Sequence, residues 1–563
     1  MSTNITVDPI TAEIIRNAFI AAADEMNTTL IRSAYTPIIY EGQDCSVALL
    51  DANHRILGQS AGLPIFLGNL EICVALTEER FGRGVWSPGD VWIVNDSFLT
   101  GTHLNDMTVY APIFCDSELM GFSASRAHWL DIGAKDPGGS MDSTNIYQEG
   151  LRLPPMKIIA AGAIREDVAE LIALNTRFPD PTIGDLHAQI AVARTGDARL
   201  RAILARYGKE TVELARDQIF AQSEELDRIA VAAIPDGVYT AEGCLDNDGI
   251  SDDPYWVRVK VIVEGDTIAV DLTESDDSAV GAINCGEAQA ISACRVAFKL
   301  LINPGQSING GTFRPLDVRV RKGSLLGAQE PSGCQWYFSP LGLLIDLVGK
   351  ALAPVLPETV AAASYGDSMI TLLSGIDTKG RQFVHPEALV GGWGAWSVSD
   401  GESALINSVN GTIKDFPIEV IESRYPMRIR DYGFRSDSAG AGTWRGGFGV
   451  VREWLVECDE AWISLWYERA KTPAWGLFGG GAGEPSYVVV NPGTDRERRL
   501  NKINRLRLSR GDVVRCLSGG GGGYGVPETR KPGAVAADVA LGLLSPERAR
   551  GDYPGLGDSA HSE

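Results

Sequence analysis

Asp44 in EGQDCS, His103 in GTHLND and His128 in SRAHWLDIG are the residues of this sequence with the clearest capacity for chemistry. The whole chain has only six histidines, and two of them stand just beyond apparent strand ends beside acidic residues. Imidazole nitrogens together with a carboxylate suit a divalent ion, zinc first, with manganese or iron(II) as alternatives. Three such ligands leave a position open for water or substrate, which points to catalysis. Spacing alone is weak support. No HExxH register places the two histidines on one helix face, and a loop-capping His103 with a hydrogen-bonded core His128 is the simpler account of the spacing. Asp106 and Asp131 each follow a histidine by three positions. Either is expected to ligate, to orient an imidazole through its second nitrogen, or to serve as the catalytic base. His187 reads as structural or pocket-facing, and His54, His385 and His561 as surface or turn residues.

Ligands must be held by rigid elements. Asp8 and Pro9 form an N-cap and first-turn pair, after which Ile10, Ile14, Ile15, Phe19 and Met26 recur at helical spacing, predicting an amphipathic helix. CSVALLDANHRILGQ predicts two strands around a turn at Asp51 to Asn53, and GDVWIVND and ELMGFSASRA predict further strands. His103 then falls in the loop after the strand Val91 to Val94, and His128 where the strand containing Phe122 ends. Residues 161–231 are rich in Ala, Leu and Glu and predict helices. Beyond Pro235, WVRVKVIVEGDTIAVDL alternates as a hairpin with Gly265 and Asp266 at its turn. Helical stretches follow at Ala290 to Leu301 and Leu341 to Leu352. The glycine-rich segments at 438–449, 476–483 and 518–525 lack the lysine and hydroxyl of a P-loop and read as tight turns of a β-rich domain. The expected architecture is a β-rich, multi-domain α+β fold with a helical segment in its N-terminal half. Its expected divisions are 1–234 with the metal site, 235–360, a glycine-rich 361–530, and a C-terminal helix and tail at 531–563.

A chain of 563 residues with 44% apolar composition exceeds what one core needs. Its formal net charge of -23 argues against nucleic acid and anionic membranes as partners, because both require a cationic footprint. No secretion-type leader and no membrane-length apolar run are apparent, which predicts a cytoplasmic location. The nine cysteines form no CxxC pair and read as packed thiols.

The motifs DPITAEIIRNAF, DCSVALLD, GDVWIVNDSFLTGTHLNDM, SRAHWLDIG, PGGSMDSTNIYQEGLRLPP, GDLHAQ, SAGAGTWRGGFGVVRE and SGGGGGYG occur in order over nearly the whole chain. Together they closely resemble the hydantoinase B / oxoprolinase family. The resemblance implies one subunit of a heteromer, commonly two copies of each chain, whose partner is a hydantoinase A-like subunit that binds ATP with magnesium. It also implies ATP-dependent opening of a cyclic amide (hydantoin, 5-oxoproline or lactam), with ATP-dependent ketone carboxylation from bicarbonate as the rival and a non-catalytic scaffold as the third reading. A metal site of one aspartate and two histidines maps by motif onto Asp44, His103 and His128. Under this reading the partner phosphorylates the substrate, and this chain binds the activated species. Trp129 directly follows His128 where many relatives have another histidine, so its ring belongs either to the pocket wall or to the core. Trp393, Trp396, Trp444 and Tyr425 are expected in a pocket, at a subunit face or in the core.

Overall fold

The computed structural model describes residues 7–554, so His561 lies outside the described residues. Asp8 accepts a hydrogen bond from the amide of Thr11 at 2.9 Å and starts the helix Pro9–Ser33. Ile15, Phe19, Met26 and Leu30 are buried along it, whereas Ile10 and Ile14 face solvent. That buried stripe packs on the helices Pro179–Tyr207 and Lys209–Ala232, which supply the predicted helical segment.

The helices cover an antiparallel sheet of seven strands: β1 (Cys45–Asp51), β2 (Ile56–Gln59), β3 (Val91–Val94), β4 (Asp106–Cys115), β5 (Glu118–His128), β6 (Met156–Ala160) and β7 (Ala163–Ile164). Their spatial order is β2-β1-β5-β4-β3-β6-β7. The turn between β1 and β2 lies where expected, closed by the Asp51 carboxylate accepting from the amides of Asn53 and Arg55. Strand β4 is absent from the sequence reading. It carries Pro112, which normally argues against a central strand, but the ladder shifts register between Ile113 and Phe114, just beyond the proline, and a bulge accommodates it.

A second sheet holds β8 (Gly237–Leu245), β9 (Tyr255–Glu264), β10 (Thr267–Asp271) and β11 (Leu316–Arg319). The predicted hairpin is β9 to β10, with Gly265 at φ 59° in its turn. The helices Glu287–Leu301 and Phe338–Leu352 pack on each other, and the second also covers β8 and β9. Two further sheets interleave along the chain, in the orders β13-β12-β16-β19 and β14-β15-β20-β17-β18. Their strands are β12 (Ile370–Ile376), β13 (Gln382–Ala388), β14 (Met427–Phe434), β15 (Val450–Val456), β16 (Ala461–Trp466), β17 (Tyr487–Val490), β18 (Arg498–Leu500), β19 (Lys502–Leu508) and β20 (Val513–Leu517). Short helices Pro532–Ala540 and Pro546–Asp552 close the described chain. The whole is a multi-domain α+β architecture.

The glycine-rich segments are not mainly turns. Residues 519–523 run extended through the interior, and their hydrogen bonds leave in three directions with a period of three. Gly519 and Gly522 bond Gly392, Ala363 and Ala395; Gly520 and Gly523 bond Glu484, Gly481 and Leu477; Gly521 bonds Gly447 and Gly440. This is the threefold repeat of a polyproline-II chain, here surrounded by backbone instead of water. A Cβ on Gly520, Gly521, Gly522 or Gly523 would lie 1.8–2.0 Å from a carbonyl oxygen. The glycines are there for backbone-to-backbone contact.

All nine cysteines are free, seven of them buried. Among the described residues no helix is long and apolar enough to cross a membrane.

Candidate metal centre

Three neighbouring strands deliver the site. In the β1–β5 ladder Cys45 faces Ala127, and the amide of His128 donates to the carbonyl of Asp44 at 3.1 Å, so the rung extends one step further. In the β4–β5 ladder Asp106 faces His128. Asp44, His128 and Asp106 therefore form one row across the ends of β1, β5 and β4, where neighbouring side chains stand about 5 Å apart at their Cβ atoms. His103 reaches the same point from the loop before β4, through a turn in which the Asp106 amide donates to the His103 carbonyl at 3.2 Å.

His103 Nε2 lies 2.8 Å from Asp106 Oδ1 and 3.1 Å from His128 Nδ1, and His128 Nδ1 lies 3.3 Å from the same Oδ1. Two imidazole nitrogens facing each other and one carboxylate oxygen at these distances leave lone pairs directed at a shared point. Four-coordinate zinc with bonds near 2.0–2.1 Å has ligand atoms roughly 3.3 Å apart, so the donor set and its spacing fit a divalent ion after slight expansion. Among the described residues this trio is the one cluster of histidine, cysteine and acidic side chains with metal-holding geometry.

The trio is held from behind. His103 Nδ1 is 3.1 Å from the carbonyl of Gln335, so with an ion at the site a proton on Nδ1 would donate there and leave the Nε2 lone pair for the metal. The Tyr337 hydroxyl donates to Asp106 Oδ2 at 2.8 Å, leaving Oδ1 for the histidines. Burial opposes ionisation of Asp106, but the charges and hydrogen bonds of His103 and His128 outweigh it and hold the carboxyl below the usual range. Burial, reinforced by Asp106, raises the Tyr337 hydroxyl well above its ordinary value and keeps it a donor.

Asp44 faces the same cavity without joining the trio, and its Oδ1 is buried without a hydrogen-bond partner. Burial pushes its carboxyl up to about 7, opposed by His128 and aided by Asp106. The cavity has a volume of about 80 Å³ and walls that include Phe66, Phe338, Ile370, Leu372 and Phe416. That is room for roughly six water-sized groups, the size of a small ring.

Asp131 is elsewhere. Its carboxylate pairs with the Arg177 guanidinium at 2.8 Å and accepts from the amides of Gly133, Gly138 and Arg177. It fixes the loop whose Gly138 borders the cavity. Trp129 turns into the core: it is 1% exposed, and its indole nitrogen donates to Gln189. His187 is exposed, and His54 sits in the turn after β1 at φ 64° against Glu78. His385 corrects the surface expectation. It is fully buried in β13 among Phe416, Tyr425 and Trp454, because β13 pairs with β12 inside the interleaved sheets. Trp393, Trp396, Trp444 and Tyr425 do not line the metal cavity. Gln335 and Tyr337 escaped the sequence reading. The run SGCQWYFSP carries no ligand motif, and its one signal is an aromatic cluster just ahead of a helix.

Residues 8–527 match the family model described as hydantoinase B/oxoprolinase. The B component of a putative D-/L-hydantoinase from a Pseudomonas species is 30% identical, over 97% of this chain and 95% of that protein. The beta component of the caprolactamase of Pseudomonas jessenii is also 30% identical, over 97% of this chain and 96% of its own length. The crystal structure of the ATP-dependent caprolactamase from Pseudomonas jessenii superposes with a TM-score of 0.92 at 28% identity, covering 99% of this chain and 100% of that one.

Proposed function

This chain belongs to the hydantoinase B/oxoprolinase family, and from that premise we propose that it is the metal-holding subunit of an ATP-dependent hydrolase that opens a small cyclic amide. The single observation that carries the reading is the convergence of His103, Asp106 and His128 within 3.3 Å of one another at the wall of a ring-sized apolar cavity. Full-length similarity to the beta component of a caprolactamase and the B component of a hydantoinase supports the substrate class. That both relatives are subunits supports a partner, which we take to be a hydantoinase A-like chain that binds ATP with magnesium, two copies of each working together in the cytoplasm.

His103, Asp106 and His128 would hold the ion, zinc first, with manganese or iron as alternatives. Asp106 takes the ligand position that the sequence reading gave to Asp44. A divalent ion there supplies Lewis acidity and makes water acidic near neutral pH. Gln335 and Tyr337 keep the lone pairs of His103 and Asp106 directed at the site. The apolar walls exclude bulk water, so charge developing on the substrate is stabilised by fixed groups in a low-dielectric surrounding. Asp44, which lines the cavity and whose buried Oδ1 has no hydrogen-bond partner, is the group placed to hold or move a proton there, and Asp131 shapes the cavity from behind. Phosphoryl transfer belongs to the partner, which activates the amide before this chain receives it.

Elemental analysis of the chain purified without chelator, beside His103→Ala, His128→Ala and Asp106→Asn, tests the site. About one ion per chain, lost in all three variants, is expected; retention in Asp106→Asn with loss in Asp44→Asn would return the ligand role to Asp44. The reconstituted complex should consume ATP with a lactam or hydantoin. Turnover of a ketone with bicarbonate instead would move the chain to carboxylation, and undiminished activity in the metal-free variants would leave it a scaffold.

A further inference from the structure

Opposite in character to the metal trio, one polar group in the cavity wall has a proton with nowhere to go. Ser368 lines the cavity together with Ile370, Leu372, Ile413 and Asn410, and it is 1% exposed. Its Oγ accepts from Asn410 Nδ2 at 2.7 Å and from Asn407 Nδ2 at 3.2 Å. The Asn407 amide cannot turn round, because its Oδ1 already accepts from the backbone amides of Val409 and Asn410. A serine hydroxyl has two lone pairs and one proton. With both lone pairs occupied by amide donors, the proton remains, and among the described residues no protein acceptor takes it.

The hydroxyl is also held rigidly. The Ser368 amide donates to Asp367 Oδ1 at 2.6 Å, and its carbonyl accepts from Leu389. The next residue, Met369, is buried in the left-handed region at φ 47°, a conformation that costs a non-glycine residue energy and persists only where the surroundings enforce it. A strained backbone, a locked Asn407 amide and a buried hydroxyl on a residue that lines the cavity are what a preorganised hydrogen-bond donor requires.

We propose that Ser368 is a specificity-determining residue of this cavity. Its O–H donates to an acceptor oxygen of the substrate, the carbonyl of a cyclic amide or the oxygen it becomes on activation, while the hydrocarbon wall takes the ring. This rests on the cyclic-amide reading above and adds the group that reads the polar end of the substrate. A buried donor left without an acceptor disfavours ring compounds that lack one, so the same contact both attracts the amide and rejects its hydrocarbon analogues.

Calorimetric titration of the metal-loaded full chain with a five-membered lactam, and with the matching thiolactam whose sulfur is a poorer acceptor, tests the assignment. Wild type should prefer the lactam. Ser368→Ala should bind it about tenfold more weakly and lose the preference. Because that change also strips two amides of their acceptor and can disturb folding, Asn410→Asp provides the control. It is isosteric, keeps the serine, and turns a donor into an acceptor that captures the Ser368 proton. The same loss of lactam binding is expected in Asn410→Asp, at wild-type metal content and melting temperature. Unchanged lactam binding in both variants, or no lactam binding by wild type, overturns the assignment. ATP-dependent turnover in the reconstituted complex is scored separately: binding that depends on Ser368 without turnover would remove the hydrolase reading and leave the donor in place.

Discussion

A ligand nitrogen or oxygen serves a metal only when something stops it turning away, and in the proposed metal site that task would fall to Gln335 and Tyr337. Removing the Tyr337 hydroxyl leaves Asp106 free to rotate and to share both oxygens with its surroundings. Tyr337→Phe is therefore expected to lower metal affinity about 10- to 100-fold, measured by competition with a chelator, with the melting temperature of the metal-free chain nearly unchanged. Asp131 has the opposite profile. Its carboxylate is fully buried, pairs with Arg177 and accepts from three backbone amides, and Asp131→Asn should cost about 3 kcal/mol of stability in denaturant titration. Metal affinity in the fraction that folds should stay near wild type, which separates a loop anchor from a site residue. The four cavity groups Asp44, His103, Asp106 and His128 were legible in the sequence because scarce histidines stand beside acids in motifs at apparent strand ends, without any need to recognise β4. Which of the two aspartates stands closer to both imidazoles was not, since that depends on the strand rung, which brings Asp106 Oδ1 within 2.8 and 3.3 Å of the two rings. Gln335 and Tyr337 were illegible for a plainer reason: more than 230 positions separate them from His103 and Asp106, which they touch, and no local periodicity records such a contact.

At the scale of elements, the pattern that misled is as informative as the one that held. Alternation and turn residues found β1, β2, β3, β5 and the β9–β10 hairpin, because each exposes a local signature. Strand β4 has Pro112 in its middle and is buried along most of its length, so neither alternation nor propensity marks it. Glycine at 518–525 resembles a turn signal, yet most of these residues form an extended segment with threefold bonding whose neighbours approach to backbone contact. The distinction is testable by adding one carbon. Gly521→Ala would place Cβ 1.9 Å from the Trp393 carbonyl oxygen. With backbone on every side nothing can yield, and a loss of about 3 kcal/mol or more, or failure to accumulate as folded protein, is expected. Gly349→Ala, in the helix Phe338–Leu352 with no heavy atom within 4 Å of the new carbon, should instead gain up to about 1 kcal/mol through helix propensity. Thermal unfolding of the two variants side by side reads the contrast, and equal behaviour would refute the backbone-packing account.

For the molecule as a whole, the buried pair His385 and Glu387 on β13 sets a dependence of stability on pH that its two members largely hide from each other. Burial, with the Arg452 charge added, pulls the His385 imidazole down to about 3, so the native state refuses a proton that the unfolded state accepts below about 6.5. Between those values the unfolded chain binds more protons, stability rises with pH, and the contribution is lost as pH falls from 6.5 towards 3. Glu387 works the other way. Burial pushes its carboxyl up to about 7 despite Arg452 at 2.8 Å, so from about 4.5 to 7 the native state holds a proton that the unfolded state has released, and stability falls as pH rises. Across pH 4.5 to 6.5 the two slopes, each at most about 1.4 kcal/mol per pH unit, oppose one another and the wild type should be nearly flat on their account. Removing one member exposes the other. Glu387→Gln should lose stability relative to wild type as pH is lowered from 6.5 to 5, and His385→Gln should lose it as pH is raised from 5 to 7. Reading each variant against wild type at every pH cancels the other titrating groups of the chain, provided they lie far enough from the pair to add independently. Parallel curves for both variants would mean that the pair titrates alike in the folded and unfolded chains, and that the burial of His385 and Glu387 is without electrostatic consequence.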